Sequence, residues 1–366
     1  MRIVAHDPRR DVEFAGGGGV GAGRFGGVCR VPLNAGVLRA VALAVVVGAS
    51  ASCSTLGFYV QAVGGQAEIM LKRRPVERVL ADSATDDALR GRLELARELL
   101  AFAEAELDMT SGGSFSGYAD LGRDHAVWVV HAAQEFSMEP VTWWYPVTGR
   151  MAYRGYFREA VARRTMSGLE EAGHDVWVAR VDAYSTLGYF RDPLLNTFIH
   201  RDVPMLADLI FHELAHQRHF RRGETAFNEG LAEAVAREGV RRWLAARGYD
   251  EALAGYERRL RRQAAAGVEI RRTARRLEGI YASGTGEEAM RAAKEREIAE
   301  LKRRLAAMGP RPGTGLDSWV RGEVNNARIN SFIAYEEEVP RFVRLLDECG
   351  GDFQEFWKRV EALEVD

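Results

Sequence analysis

The chain has 366 residues, 47% of them hydrophobic and 28% charged, which is the make-up of a folded protein and excludes wholesale disorder. Fifty basic residues stand against 52 acidic ones for a formal net charge of -2, and the Arg-rich stretches are interleaved with Glu, so no broad basic face points to nucleic acid as a partner. No unit of roughly 20–50 residues repeats along the chain, which excludes a solenoid.

Residues 36–52 hold an apolar run of about a dozen residues behind Arg30 and Arg39 and end in small residues before Cys53. This is the build of an export signal, and the run is shorter than the ~20 residues a helix needs to cross a bilayer. A small-residue run into Cys resembles a bacterial lipoprotein signal. That resemblance implies removal of residues 1–52, lipidation of Cys53, and an anchor in the outer membrane on its periplasmic side, because Ser54 and not Asp follows the Cys. Plain secretion, or a buried structural Cys53, is the alternative. The leader before the signal, with four consecutive glycines at 16–19, has no periodicity.

From residue 54 to about 107 the apolar pattern is helical, with Leu89, Leu93, Ala96, Leu99, Leu100 and Ala103 at three- and four-residue steps behind a Thr85 cap; two helices are expected. After Ser111-Gly112-Gly113-Ser114 the period changes, and residues 126–130, 142–145 and 175–179 read as short strands of a small sheet, with a helix over 156–172 between the last two. Helical periodicity then runs to the C-terminus. Residues 245–309 form a charged amphipathic hairpin broken near Ser283-Gly284-Thr285-Gly286; such a hairpin reads as a solvated face, and the sequence names no partner for it. The pattern as a whole is α+β, one domain over 53–366 with the hairpin as an insertion.

His212-Glu213-Leu214-Ala215-His216 lies in a run opened by Pro204 and continued by Met205, Leu206, Leu209, Ile210 and Phe211, the signature of a buried helix. Four-residue spacing stacks both imidazoles on one face, where they can share a zinc ion, while Glu213 sits one step around, in reach of a water. A catalytic zinc needs a third protein ligand. Asn228-Glu229-Gly230-Leu231-Ala232 supplies Glu229, in the first turns of a helix capped by Thr225, with Glu233 on the same face as the fallback and His219 as a surface histidine.

The two motifs together resemble those of the gluzincin metallopeptidases, in which His-Glu-x-x-His is followed on a neighbouring helix by Asn-Glu. Further segments, Tyr153-Arg154-Gly155-Tyr156-Phe157, Asp192-Pro193-Leu194-Leu195, Thr225-Ala226-Phe227-Asn228-Glu229 and Asn325-Asn326-Ala327-Arg328, are similar to those of a bacterial family described as aminopeptidases. The resemblance implies a zincin-like core with a small mixed sheet over the metal helix, one zinc ion per chain, a peptide substrate and Glu213 as general base. It also implies an oxyanion donor from the C-terminal side, for which Tyr335 is the first candidate, ahead of Arg328 and Asn326; a half-buried core aromatic is the other reading of Tyr335. Residues 185–190 could pair with an extended peptide, with Gly188 allowing close backbone approach. The candidate substrate-binding residues are Gly188, Tyr189, Asn228 and Arg328. An endopeptidase, or a non-catalytic envelope lipoprotein that keeps a structural zinc and acts by partner binding, remains open at this stage.

Overall fold

The computed structural model describes residues 53–145, 149–184, 186, 190–309 and 315–363, with side chains from residue 57 onward. The first helix, Cys53–Lys72, turns Phe58, Gly65 and Ile69 inward. Gly65 is required there, since a Cβ would sit 2.0 Å from Phe157 Cγ. Three helices, not two, fill the next stretch: this one, Val76–Ala81 and Asp87–Glu106. The cap of the third is Asp86, whose side chain accepts from the Leu89 N–H at 3.1 Å, while the expected cap Thr85 donates its hydroxyl to the Val79 carbonyl. Leu93, Ala96, Leu99 and Ala103 are fully buried on its inner face.

Among the described residues the strands divide among three small sheets. β1 (Arg74–Pro75), β2 (Gly117–Ala119) and β8 (Leu194–Leu195) form one, with β2 parallel to β8. β3 (Val127–Gln134) lies between β6 (Arg154–Tyr156) and β7 (His174–Val181), antiparallel to both, with Val129 opposite Ala179. β4 (Trp143–Tyr145) and β5 (Gly149–Met151) make a hairpin. β3 is buried along nearly its whole length because helix Glu159–Glu171 packs on the sheet and helix Asn326–Glu336 on its other side, which explains its continuous apolar run.

Helix Val203–Arg218 carries the His-Glu-x-x-His motif and is buried from Met205 to His216. It pairs most closely with helix Thr225–Ala246, where Gly239 lets the chain pass Leu107 and Phe211. The class is α+β, as the pattern of the chain requires.

The charged hairpin consists of helices Asp250–Tyr281 and Glu287–Ala307. Its outer face is wet, but its inner face has a core of its own, in which Ile270, Leu277, Leu301 and Leu305 meet Ile329 of helix Asn326–Glu336. Polar contacts fasten it to the sheet and to that helix: Lys294 Nζ lies 2.7 Å from Asp175 Oδ2 of β7, and the Tyr281 hydroxyl donates to Asn326 Oδ1 at 2.9 Å. Helices Val339–Glu348 and Phe353–Ala362 close the chain, with Phe342, Phe356 and Trp357 fully buried. Among the described residues no helix is long and apolar enough to cross a membrane.

Candidate metal centre

The motif helix presents His212 and His216 one turn apart, and the antiparallel packing of helix Thr225–Ala246 brings Glu229 against them. The Nε2 atoms of the two histidines are 3.1 Å apart, and Glu229 Oε2 lies 3.3 Å from His212 Nε2 and 3.6 Å from His216 Nε2. These three ligand atoms lie within 4.8 Å of one another, and all three residues are buried. Glu213 is 2% exposed, and neither of its carboxylate oxygens has a hydrogen-bond partner. An ionisable group left in this state in a protein interior calls for a positive charge or a polar ligand beside it.

Glu233, the fallback ligand of the sequence, takes a different position. Its Oε2 is 3.6 Å from His212 Nδ1, on the far side of the ring from Glu229. Burial alone would lower the His212 pKa, but the carboxylates of Glu229 and Glu233 on its two nitrogens outweigh burial and raise it. Glu233 is itself held by Arg237 at 2.9 Å; Arg237 reaches Glu336 at 2.7 Å, and Gln263 of the charged hairpin donates to the same Glu336 oxygen at 2.6 Å. A chain of polar contacts thus runs from His212, a candidate ligand, through helix Asn326–Glu336 to the hairpin. Arg237 is readable in the sequence as the i,i+4 partner of Glu233, but nothing local announces Glu336 or Gln263.

Tyr335 and Tyr153 flank the same region. Burial, and then the negative charge of Glu229, raises the pKa of each phenol well above its usual range, so both stay protonated and able to donate.

The family described as "Putative aminopeptidase" matches residues 57–366. The chain belongs to this family. Membership supports hydrolysis of peptides as its chemistry, and no curated protein and no solved structure gave a match. The remaining candidates of this family member fall in four groups. The amide of Asn228 accepts from the Arg221 N–H at 2.7 Å and donates to the Arg221 carbonyl at 2.6 Å, closing the loop between helices Val203–Arg218 and Thr225–Ala246. Arg328 is buried between Trp177 and Trp319, 5.5 and 4.6 Å from their ring centres, donates to the Glu323 carbonyl and the Ser318 hydroxyl, and has its pKa lowered by burial to about 10. Its hydrogen bonds therefore go to the framework. Ser185 and residues 187–189, with Gly188 and Tyr189, lie outside the described residues, as does the side chain of Cys53. His219 ends the motif helix and stacks near Phe227, apart from the cluster of three ligands.

Proposed function

We propose that the chain is a zinc-dependent peptidase, acting as an aminopeptidase, in which His212, His216 and Glu229 hold one zinc ion and Glu213 is the general base. The observation that carries this reading is the buried, unpartnered Glu213 carboxylate next to a cluster of two histidines and one carboxylate. That donor set suits zinc and leaves a position for substrate or water, whereas a structural site takes four protein ligands and has no use for a base. A zinc ion held there supplies Lewis acidity and lowers the pKa of a water toward neutrality.

Glu213 removes the proton of the attacking water and passes it to the departing amine as the C–N bond breaks. Glu233, fixed by Arg237, keeps His212 turned so that Nε2 faces the ligand cluster. Tyr335 donates its hydroxyl to the oxyanion of the tetrahedral intermediate, with burial keeping the phenol protonated.

Zinc content and peptide hydrolysis, measured side by side on the wild type, Glu213→Gln and His216→Ala, test the assignment. About one zinc per chain is expected in the wild type and in Glu213→Gln, with activity falling roughly 10²- to 10⁴-fold in the latter, and zinc itself is lost from His216→Ala. Zinc absent from the wild type, or full activity in Glu213→Gln, overturns the reading.

We also infer that the protein is exported and held at the outer membrane through a lipid on Cys53, a reading supported by the small-residue run into that Cys. Cys53→Ser should move the protein from the membrane to the soluble fraction, and unchanged fractionation excludes the anchor.

A further inference from the structure

Beside the ligand cluster, between β3 and helix Asn326–Glu336, is a cavity of about 30 Å³. Three of its lining residues tie it to the candidate centre. Thr225 stands one helical turn before Glu229, and Tyr153 and Tyr335 are the two phenols that feel the charges of Glu229 and Glu213. Much of the remaining wall is methyl groups, from Ala132, Ala152, Ala327 and Ala334, and among the described residues no acidic side chain lines it. Two polar atoms on lining residues are buried without a hydrogen-bond partner, His131 Nε2 and Asn330 Nδ2. The His131 ring is clasped between Tyr153 and Trp177, with centres 5.8 and 5.5 Å away, and is bonded to the Ala152 backbone. Because its other nitrogen serves that carbonyl, Nε2 of the neutral ring is an acceptor. Asn330 Nδ2 is a donor.

We propose that this cavity is the pocket for a side chain flanking the scissile bond, and that it admits a small or hydroxylated residue, alanine or serine, in preference to leucine or phenylalanine. The inference rests on the peptidase reading above and names the substrate class for that site. A volume of about 30 Å³ holds roughly two water-sized groups, which matches a CH₂ and an OH. A serine hydroxyl offers what both buried atoms lack, a donor for His131 Nε2 and an acceptor for Asn330 Nδ2. Alanine fills half the space, while the four carbons of leucine exceed it. Lysine and arginine would bring a charge that no carboxylate among the described lining residues meets.

The test is a pool of hexapeptides of mixed sequence digested by the zinc-loaded full chain, with every cut site read by mass spectrometry. At one of the two positions flanking the cut, alanine and serine should exceed leucine and phenylalanine by roughly tenfold or more, since one excess or missing methylene in a fitted pocket is worth about 10- to 200-fold. Ala334→Val, which fills the cavity, should move that position toward glycine, and His131→Phe should lower serine about tenfold relative to alanine. Equal cutting beside leucine and phenylalanine at both positions, or an Ala334→Val profile identical to wild type, overturns the pocket and leaves the peptidase standing. Failure to cut any peptide removes the peptidase reading, and this inference with it.

Discussion

Glu233 Oε2 lies 3.6 Å from His212 Nδ1, while Glu229 Oε2 lies 3.3 Å from Nε2 of the same ring. One imidazole is therefore held between two carboxylates, one in the ligand cluster and one behind it. Glu233→Gln should keep the fold and weaken zinc binding about 10- to 100-fold, the range seen when such outer partners are removed. Arg237→Met should act in the same direction, because Glu233 then loses the guanidinium that fixes it. Chelator competition measures both, and unaltered affinity in Glu233→Gln would leave His212 oriented by packing alone.

Tyr335 and Tyr153 both sit near the charges of Glu229 and Glu213, and only one of them needs to serve the oxyanion. Tyr335→Phe is expected to lower kcat by roughly 10²- to 10³-fold with KM and zinc content little changed, the pattern of an interaction made in the transition state. Steady-state kinetics on Tyr335→Phe and Tyr153→Phe separate the two. Should the loss appear only in Tyr153→Phe, the donor is Tyr153.

His131 gives the fold a defined acid sensitivity. Burial lowers its pKa to about 3, whereas the unfolded chain titrates near 6.5. The unfolded state thus takes up a proton that the folded state refuses, so this residue leaves stability untouched above about pH 6.5 and erodes it as the pH falls toward 3. Between pH 7 and pH 5 the loss is about 2 kcal/mol. His131→Phe keeps an aromatic ring between Tyr153 and Trp177 and removes the titration. Denaturant unfolding of both proteins at the two pH values should show the gap between them shift by that amount, and a constant gap would mean that the folded state accepts the proton.

Gly230, within the Asn-Glu-Gly segment, has a packing role that its neighbours obscure. A Cβ there would lie 2.5 Å from Glu338 Cβ and 3.0 Å from the Glu338 backbone, which cannot swing away as a side-chain tip can. Gly230→Ala should cost about 1–3 kcal/mol by overpacking. Gly91, in helix Asp87–Glu106, has nothing within 4 Å of the same construction, and Gly91→Ala should stabilise by about 0.5–1 kcal/mol. Melting temperatures moving in opposite directions confirm the contrast; parallel shifts refute it.

Much of the candidate site was legible because helices are local objects. The four-residue step from His212 to His216 places both rings on one face whatever the rest of the chain does, and Asn228-Glu229 falls on the next helix after a short loop. The helix boundaries followed from apolar spacing in the same way, to within a few residues at most ends. Strands were harder. Residues 126–130 and 175–179 were recognisable as extended, but strand pairing depends on where the chain goes between them, so the division into three small sheets was not.

The sequence by itself determined the groups on offer: two imidazoles and the Glu229 carboxylate at spacings that regular helices turn into one cluster, with the Glu213 carboxylate one residue from His212. Only the tertiary structure decided what each further polar residue does. Glu233 lies on the Nδ1 side of His212, outside the group of His212, His216 and Glu229, Asn228 closes a loop, Arg328 is spent on two tryptophans and a carbonyl, and the charged hairpin reaches Glu233 through Gln263, Glu336 and Arg237. The physical reason is distance along the chain. Contacts such as Gln263 to Glu336 join residues many turns apart, so no local spacing encodes them, and burial decides which polar groups must find a partner there.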